Sequence, residues 1–182
     1  MKNQSKTKFV ILGLLTIKPL SGYGIKSIIS KSIDHFWSES NGQIYPTLKL
    51  LLKEKLISLK KREAIGKKYR NIYSITKEGF EELKKWLNKP YEKNTHRDES
   101  LLKLFFGSTL SIEEAIDHIK KRKKRTDEKL KNYHLIKKEL EKRKNLPHHI
   151  YWLITLNNGF AIANAEINWC KESIKILEGH KK

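Results

Sequence analysis

The stretch SNGQIYPTLKLLLKEKLI, residues 40–57, sets Ser40, Asn41, Gln43, Tyr45 and Lys49 at the front of a leucine-rich run. Hydroxyl, amide, phenol and ammonium groups of this kind pair with phosphate oxygens and base edges. Gln43 can meet an adenine edge, Lys49 a phosphate or a guanine, and Tyr45 a phosphate or a thymine methyl. Ile44, Leu48, Leu51, Leu52 and Leu56 recur at helical spacing, so the leucines and most of the polar set occupy different faces of one helix. The first turns of a helix leave backbone N–H groups unpaired and carry partial positive charge, which suits an anion such as phosphate. The plainer reading of the same residues is a polar solvent face with Tyr45 half buried.

A second group of cations follows at GKKYR, residues 66–70, between two segments rich in β-branched and aromatic residues. That pattern predicts a β-hairpin with Gly66, Lys67 and Lys68 at its tip, where cations can touch phosphate or lie along a minor groove. A soluble, charged turn is the alternative. The formal charge of the chain is +19, and its distribution favours the first half: residues 1–90 hold 19 Lys and Arg against 7 Asp and Glu. Such an excess points to phosphate, an acidic partner or an anionic membrane, unless it reflects only a lysine-biased genome.

Catalytic and metal chemistry find little support. His148 and His149 are adjacent and cannot share a helix face as paired ligands would, and the remaining histidines are scattered. No phosphate-binding glycine loop, nucleophile elbow or zincin motif occurs, so the expectation is a protein that is not an enzyme and has no metal or cofactor. Cys170, the lone cysteine, excludes an internal disulfide and fits a reducing cytoplasm. The run FVILGLLTI is too short to cross a bilayer and is followed by Pro19, Gly22 and Gly24 rather than a signal-peptide cleavage pattern.

The elements that must position these residues can be read along the chain. KFVILGLLTI predicts a first helix stopped by Pro19, followed by a turn at Ser21 and Gly22. YGIKSIISKSIDHFW predicts a second amphipathic helix through Ile25, Ile28, Ile29 and Ile33. The leucine-rich segment is the third; Pro46 is tolerable there only close to its start, with an N-cap at Ser40 or Asn41. After the hairpin, Thr76 caps a helix with Phe80, Leu83 and Leu87 on one face. Three helices followed by a hairpin make a winged helix-turn-helix, whose second helix of the pair enters the major groove.

The polar segment NKPYEKNTHRDES, residues 88–100, marks a boundary. Beyond it come a short helix, a capping box at Ser111 and Glu114, and a long helix that Pro147 brings to an end. Ile112, Ile116, Ile119, Thr126, Leu130, Tyr133 and Leu140 form a seam along that helix, interrupted by Lys123 and Lys137. The cations of KKRKKR, residues 120–125, spread around its axis and read as a solvated surface or as a nucleic-acid patch. The last segment, from Ile150, is apolar on most of its circumference and predicts a helix buried on several sides, with Gly159 and Ala163, and Ala161 and Ala165, admitting a partner helix. Trp152, Phe160 and Trp169, with Asn157 or Asn164, line an aromatic pocket or simply form core and subunit interface.

ILGLLTIKPLSGYGI, QIYPTLKLLLKEKLI and YSITKEGFEELKKWL together resemble the DNA-binding part of the PadR family of bacterial transcriptional regulators, over about residues 9–88. LNNGFAIANAEINWC and the helix it opens are similar to the C-terminal domain of the subgroup that carries one. The resemblance implies a mainly α chain: a winged-helix DNA-binding domain at 1–89 and a helical dimerisation and effector domain at 90–182. It implies a homodimeric repressor of double-stranded DNA, released by a small aromatic ligand such as a phenolic acid. The candidate DNA-contacting residues are Tyr23, Lys26, Ser40, Asn41, Gln43, Tyr45, Lys49, Lys67, Lys68, Tyr69 and Arg70; the candidate ligand-binding residues are Trp152, Asn157, Phe160 and Trp169. Lys55 stands where family sequences commonly have Gly, so the third helix must end without a free left-handed residue. The rival from another class is a basic protein that binds nucleic acid without regard to sequence.

Overall fold

The computed structural model describes residues 6–33, 36–37, 41–65, 68–92 and 97–180. The chain divides into two compact units, Met1–Lys93 and Asn94–Lys182, with the division inside the polar segment 88–100.

In the first unit, helix α1 (Thr7–Ile17) is apolar around most of its circumference and is correspondingly central: Phe9, Ile11, Leu12, Leu14 and Leu15 are all buried. It packs against α3 (Asn41–Lys53), α4 (Lys77–Leu87) and strand β3 (Lys68–Ile75). Lys18, ahead of Pro19, is already extended, as a residue before proline prefers, and α1 stops there. The next residues are not simply a turn. Leu20–Ser21 form a short strand, β1, paired antiparallel to β3 through Leu20↔Tyr73 and Ser21↔Ile72. With β2 (Ile57–Ile65) the sheet has the order β1-β3-β2. Ser21 also caps α2 (Gly22–Ile28), its Oγ accepting the Gly24 N–H at 3.1 Å.

The second helix is shorter than its periodicity suggests: after Ile28 the chain widens into one π-helical turn, Ile29–Ile33. Ser32 Oγ donates to the Ile28 carbonyl at 2.6 Å and Ser30 Oγ to that of Ser27 at 3.1 Å, side-chain bonds that compete with the regular backbone ladder.

Helix α3 buries Ile44, Leu48 and Leu51, while Leu52 and Leu56 pack partly against the same core. Pro46 is its sixth residue, so it lies in the second turn, and the Gly42 carbonyl lacks its helical donor. The end of α3 is a full Schellman motif: the Leu56 N–H reaches the Leu51 carbonyl at 3.0 Å and the Lys55 N–H that of Leu52 at 3.1 Å. Lys55 itself takes the left-handed conformation, φ 58°. The cap is therefore made as a glycine would make it, at the steric cost a Cβ brings.

Thr76 then ties this turn to α4. Its Oγ1 donates to the Lys55 carbonyl at 2.8 Å and accepts the Gly79 N–H at 3.1 Å. Gly79 is fixed by close approach, since a Cβ there would stand 2.0 Å from the Leu56 carbonyl oxygen. The face that α4 turns inward is Gly79, Leu83 and Trp86, the last stacked on Phe9 at 4.6 Å; Phe80 and Leu87, expected beside Leu83, are exposed. Three-residue spacing keeps Leu83 and Trp86 together, and α1 covers only that narrow stripe.

The second unit contains α5 (Glu99–Phe105), capped by Asp98, a 3₁₀ turn at Gly107–Thr109, α6 (Ile112–Glu141) and α7 (His149–Gly179). The capping box is present: Ser111 Oγ accepts the Glu114 N–H at 3.2 Å and the Glu114 carboxylate accepts the Ser111 N–H at 2.8 Å. Helix α6 ends at Glu141, six residues before Pro147, where Lys142 to Leu146 form turns. Helices α6 and α7 are antiparallel neighbours, joined by Arg122 to Glu166 near one end and Tyr133 to Phe160 nearer the other. The α6 seam buries Ile116, Ile119, Thr126, Tyr133 and Leu140. Helix α7 buries one stripe, Leu156, Gly159, Ala163, Ile167 and Cys170. It is not covered on several sides within the chain: Ile154 and Ile162 remain 58% and 59% exposed, because α6 can cover only one face.

Candidate nucleic-acid interface

The leucine stripe of α3 faces the first core, so the opposite side of the helix, Gly42, Tyr45, Lys49 and Lys53, turns outward at spacings of three and four. Tyr45 is 55% exposed, yet its ring rests on the start of α2: a Cβ on Gly22 would lie 2.8 Å from Tyr45 Cε1. Gly22 thus lets the two helices approach closely enough to hold the tyrosine in place. Tyr23 and Lys26, one turn apart on α2, are exposed. Gln43 is exposed but also anchored, its Oε1 accepting the Thr7 hydroxyl of α1 at 3.0 Å. The second lone pair of Oε1 and the two Nε2 hydrogens are what the amide has to offer an adenine edge alongside that bond. Ser40 lies outside the described residues, as does the side chain of Asn41.

The wing is a twisted antiparallel pair running from Ile57↔Ile75 to Ile65↔Lys68, with a bulge between Leu59 and Lys61. Lys67 and the side chain of Lys68 lie outside the described residues. Tyr69 is 76% exposed, an aromatic ring projected near the end of the ribbon. Arg70 is engaged. Its Nε and Nη2 donate to Glu63 Oε2 at 2.8 and 2.6 Å, and Lys61 Nζ lies 2.7 Å from Glu63 Oε1. The Lys61 hydrogen bond first, and that of Arg70 second, hold the Glu63 carboxyl below its ordinary value. Glu63 went unnoticed in the sequence, where its signal is being the lone acid among six cations in 57–75.

The four aromatic-pocket candidates of the second unit do not converge. Trp152 stacks on His148 at 5.5 Å, Phe160 meets Tyr133 and His134 edge-on at 5.6 and 5.0 Å, and Trp169 lies under Arg122 at 5.2 Å. Asn157 is exposed. Eight and nine residues separate the rings along α7, roughly 12 Å and more at each step. A cavity of about 580 Å³ does open in the first unit, over Phe9 and Trp86, rimmed by Lys6, Lys85, Lys89, Glu82 and Glu92.

Arg122 is the residue the sequence hid. Its Nη1 donates to both Asp98 oxygens at 2.9 and 2.7 Å and its Nε to Glu166 Oε1 at 2.6 Å, joining α5, α6 and α7. The seam was interrupted at Lys123, but Arg122 also turns inward and carries the network, while Lys123 pairs with Asp127 at 2.8 Å. The Leu101 backbone N–H first, and Arg122 after it, hold the Asp98 carboxyl below its ordinary value. Burial pushes the Cys170 thiol and the Tyr133 phenol up. Among the described residues, no group of three or more His, Cys, Asp or Glu is placed to hold a metal ion, and no helix is long and apolar enough to cross a membrane.

Comparison with known proteins accounts for both units. Residues 11–85 match the family described as "Transcriptional regulator PadR-like family", and residues 96–178 match "Virulence activator alpha C-term". The negative transcriptional regulator PadR of Bacillus subtilis (strain 168) is 38% identical over 125 residues, 68% of each chain. The crystal structure of Bacillus subtilis PadR in complex with operator DNA superposes with a TM-score of 0.82 at 30% identity, covering 93% of this chain and 98% of that one. The structure of that protein in complex with p-coumaric acid gives 0.77 at 29% identity, covering 94% and 98%.

Proposed function

Since the chain belongs to the PadR-like family of transcriptional regulators, we propose that it is a homodimeric repressor that binds a double-stranded operator and releases it on binding a small aromatic ligand. The observation that carries the DNA-binding part is the outward face of α3. Tyr45 and Lys49 project from a helix whose leucines are locked in the core, so they are presented on a rigid support rather than a loop. Tyr23 and Lys26 flank them on α2, and Tyr69 extends the surface onto the wing. A relative of the same fold was crystallised with operator DNA, which supports reading this face as the contact surface. The 1–89 part is then the DNA-binding domain, and 90–182 the dimerisation and effector domain.

The exposed apolar face of α7 supports a second copy as partner, because Ile154 and Ile162 lie on a helix whose other side is already satisfied by α6. In a two-fold dimer the recognition helices stand roughly 34–36 Å apart, matching a palindrome with half-sites one turn apart. The ligand is a phenolic acid or a similar planar aromatic, as the p-coumaric acid complex of a relative suggests. Such a ligand lowers operator affinity by binding more tightly to the arrangement of the dimer that does not fit DNA.

Fluorescence anisotropy on a labelled duplex from upstream of the protein's own gene, against a scrambled duplex, tests the core of this reading. A specific regulator prefers its site by about a thousandfold or more at near-physiological salt. Equal binding with a steep salt dependence instead assigns the +19 charge to non-specific contacts. Titration with p-coumarate, followed by tryptophan fluorescence and by operator affinity, tests the ligand; no change in either removes it.

A further inference from the structure

The sequence places six cations in the wing, residues 57–75, against one acid, Glu63. Glu63 stands directly across the ladder from Arg70, so the backbone register brings the two together. Both carboxylate oxygens are in use: Oε2 accepts the Nε and Nη2 hydrogens of Arg70, and Oε1 meets Lys61. A guanidinium gripped through two of its N–H groups offers fewer of them to a phosphate, and a fixed negative charge beside the ribbon repels one. We propose that Glu63 restrains the wing, holding Arg70 and Lys61 in competition with DNA phosphates and so lowering affinity below what the wing's cations would give. The inference rests on the DNA-binding reading above and identifies a residue that tunes it.

This restraint has a use in a protein of such high positive charge. Phosphate contacts are blind to sequence and raise non-specific binding along with specific binding. A carboxylate that keeps Arg70 occupied weakens the sequence-blind contribution, so the chain is held less tightly on DNA at large. Removing it is expected to tighten binding to any duplex by a similar factor, because the contacts released are blind to sequence.

The test is Glu63→Gln, which keeps the size of a half-buried side chain while removing its charge and one of its two acceptor oxygens. Affinity is measured by anisotropy between about 50 and 300 mM salt on the upstream duplex and on the scrambled one. The expected result is a slope of log K against log salt steeper by about 0.9, and about fivefold tighter binding at near-physiological salt, on both duplexes. Adding Arg70→Gln to Glu63→Gln should remove most of that gain. Glu139→Gln on α6, the same charge change at an exposed acid outside the wing, should leave both slopes unchanged. An unchanged or shallower slope for Glu63→Gln, or weaker binding, overturns the proposal and makes Glu63 a brace that orients Arg70 toward DNA. An equal gain from Glu139→Gln overturns it too, reducing the effect to net charge. If the wild-type chain binds neither duplex at the lowest salt, the DNA-binding reading itself fails, and the role of Glu63 with it.

Discussion

The two units bury their apolar residues in different ways. The first closes a core around α1, with helices and a sheet on several sides, and leaves polar and aromatic groups such as Tyr45, Lys49 and Tyr69 outside. The second is a pair of long helices whose shared seam is one stripe wide, so much of the apolar surface of α7 stays exposed. A unit of the first kind is complete by itself and free to carry a recognition surface. A unit of the second kind leaves an apolar face open, and its exposed isoleucines are what the proposed homodimer would cover.

That contrast can be broken most decisively at α7. Replacing Ile154 and Ile162 together by Glu should weaken the proposed dimer by roughly 4 kcal/mol or more, since each burial would be lost twice across a two-fold interface. Light scattering should report monomers while circular dichroism keeps the helical signal; a dimer that persists would place the interface elsewhere. In the first unit the corresponding blow is internal. Gly79→Ala puts a methyl 2.0 Å from a backbone oxygen, so α4 must move away from Leu56 at a cost of about 3 kcal/mol. Urea unfolding followed by tryptophan fluorescence in a chain with Trp152 and Trp169 replaced by Phe should show it, and an unchanged midpoint would mean that α4 slides freely.

A smaller effect comes from the ion network that holds the second unit together. Arg122→Met leaves Asp98 and Glu166 facing each other without their cation and should destabilise by about 2 kcal/mol, below the fully buried case because solvent reaches the site. Asp98 adds a pH signature. Its carboxyl is depressed in the folded chain, so its contribution is complete above its ordinary value of 3.8 and fades as pH falls through the lower folded value. Asp98→Asn should flatten that acid limb while keeping most of the cap, as followed by thermal melts between pH 2 and 6. The smallest effect has the opposite sign: Lys55→Gly should stabilise the first unit by about 1 kcal/mol, read as a higher melting midpoint, since glycine takes a φ of 58° without strain.

Much of this architecture is written locally. Apolar spacing marks α1, α3, α6 and α7; Ser111 with Glu114, and Thr76, mark helix starts; the cations and the alternation on either side of Gly66 mark the hairpin. These signals survive because each depends on residues a few positions apart, where helix and strand geometry already decide who meets whom. The exposure of Tyr23, Lys26, Tyr45, Lys49 and Tyr69 was legible to the same degree, since a residue off the apolar stripe faces out whatever the partner helix is. The pairing of Gln43 with Thr7 and of Arg70 with Glu63 was not, for each needs a partner on another element.

By itself, the sequence determined the charge, the periodicities, the caps and the family to which they belong. Tertiary structure alone decided that Leu20–Ser21 would be a strand, because two residues become one only when β3 lies alongside. It decided that Gly79 is indispensable, that Lys55 must bend backwards to close α3, and that Arg122 rather than its neighbours joins three helices. In each case the physical reason is the same. The deciding contact is between groups far apart along the chain, and its energy exists only once the fold has brought them together.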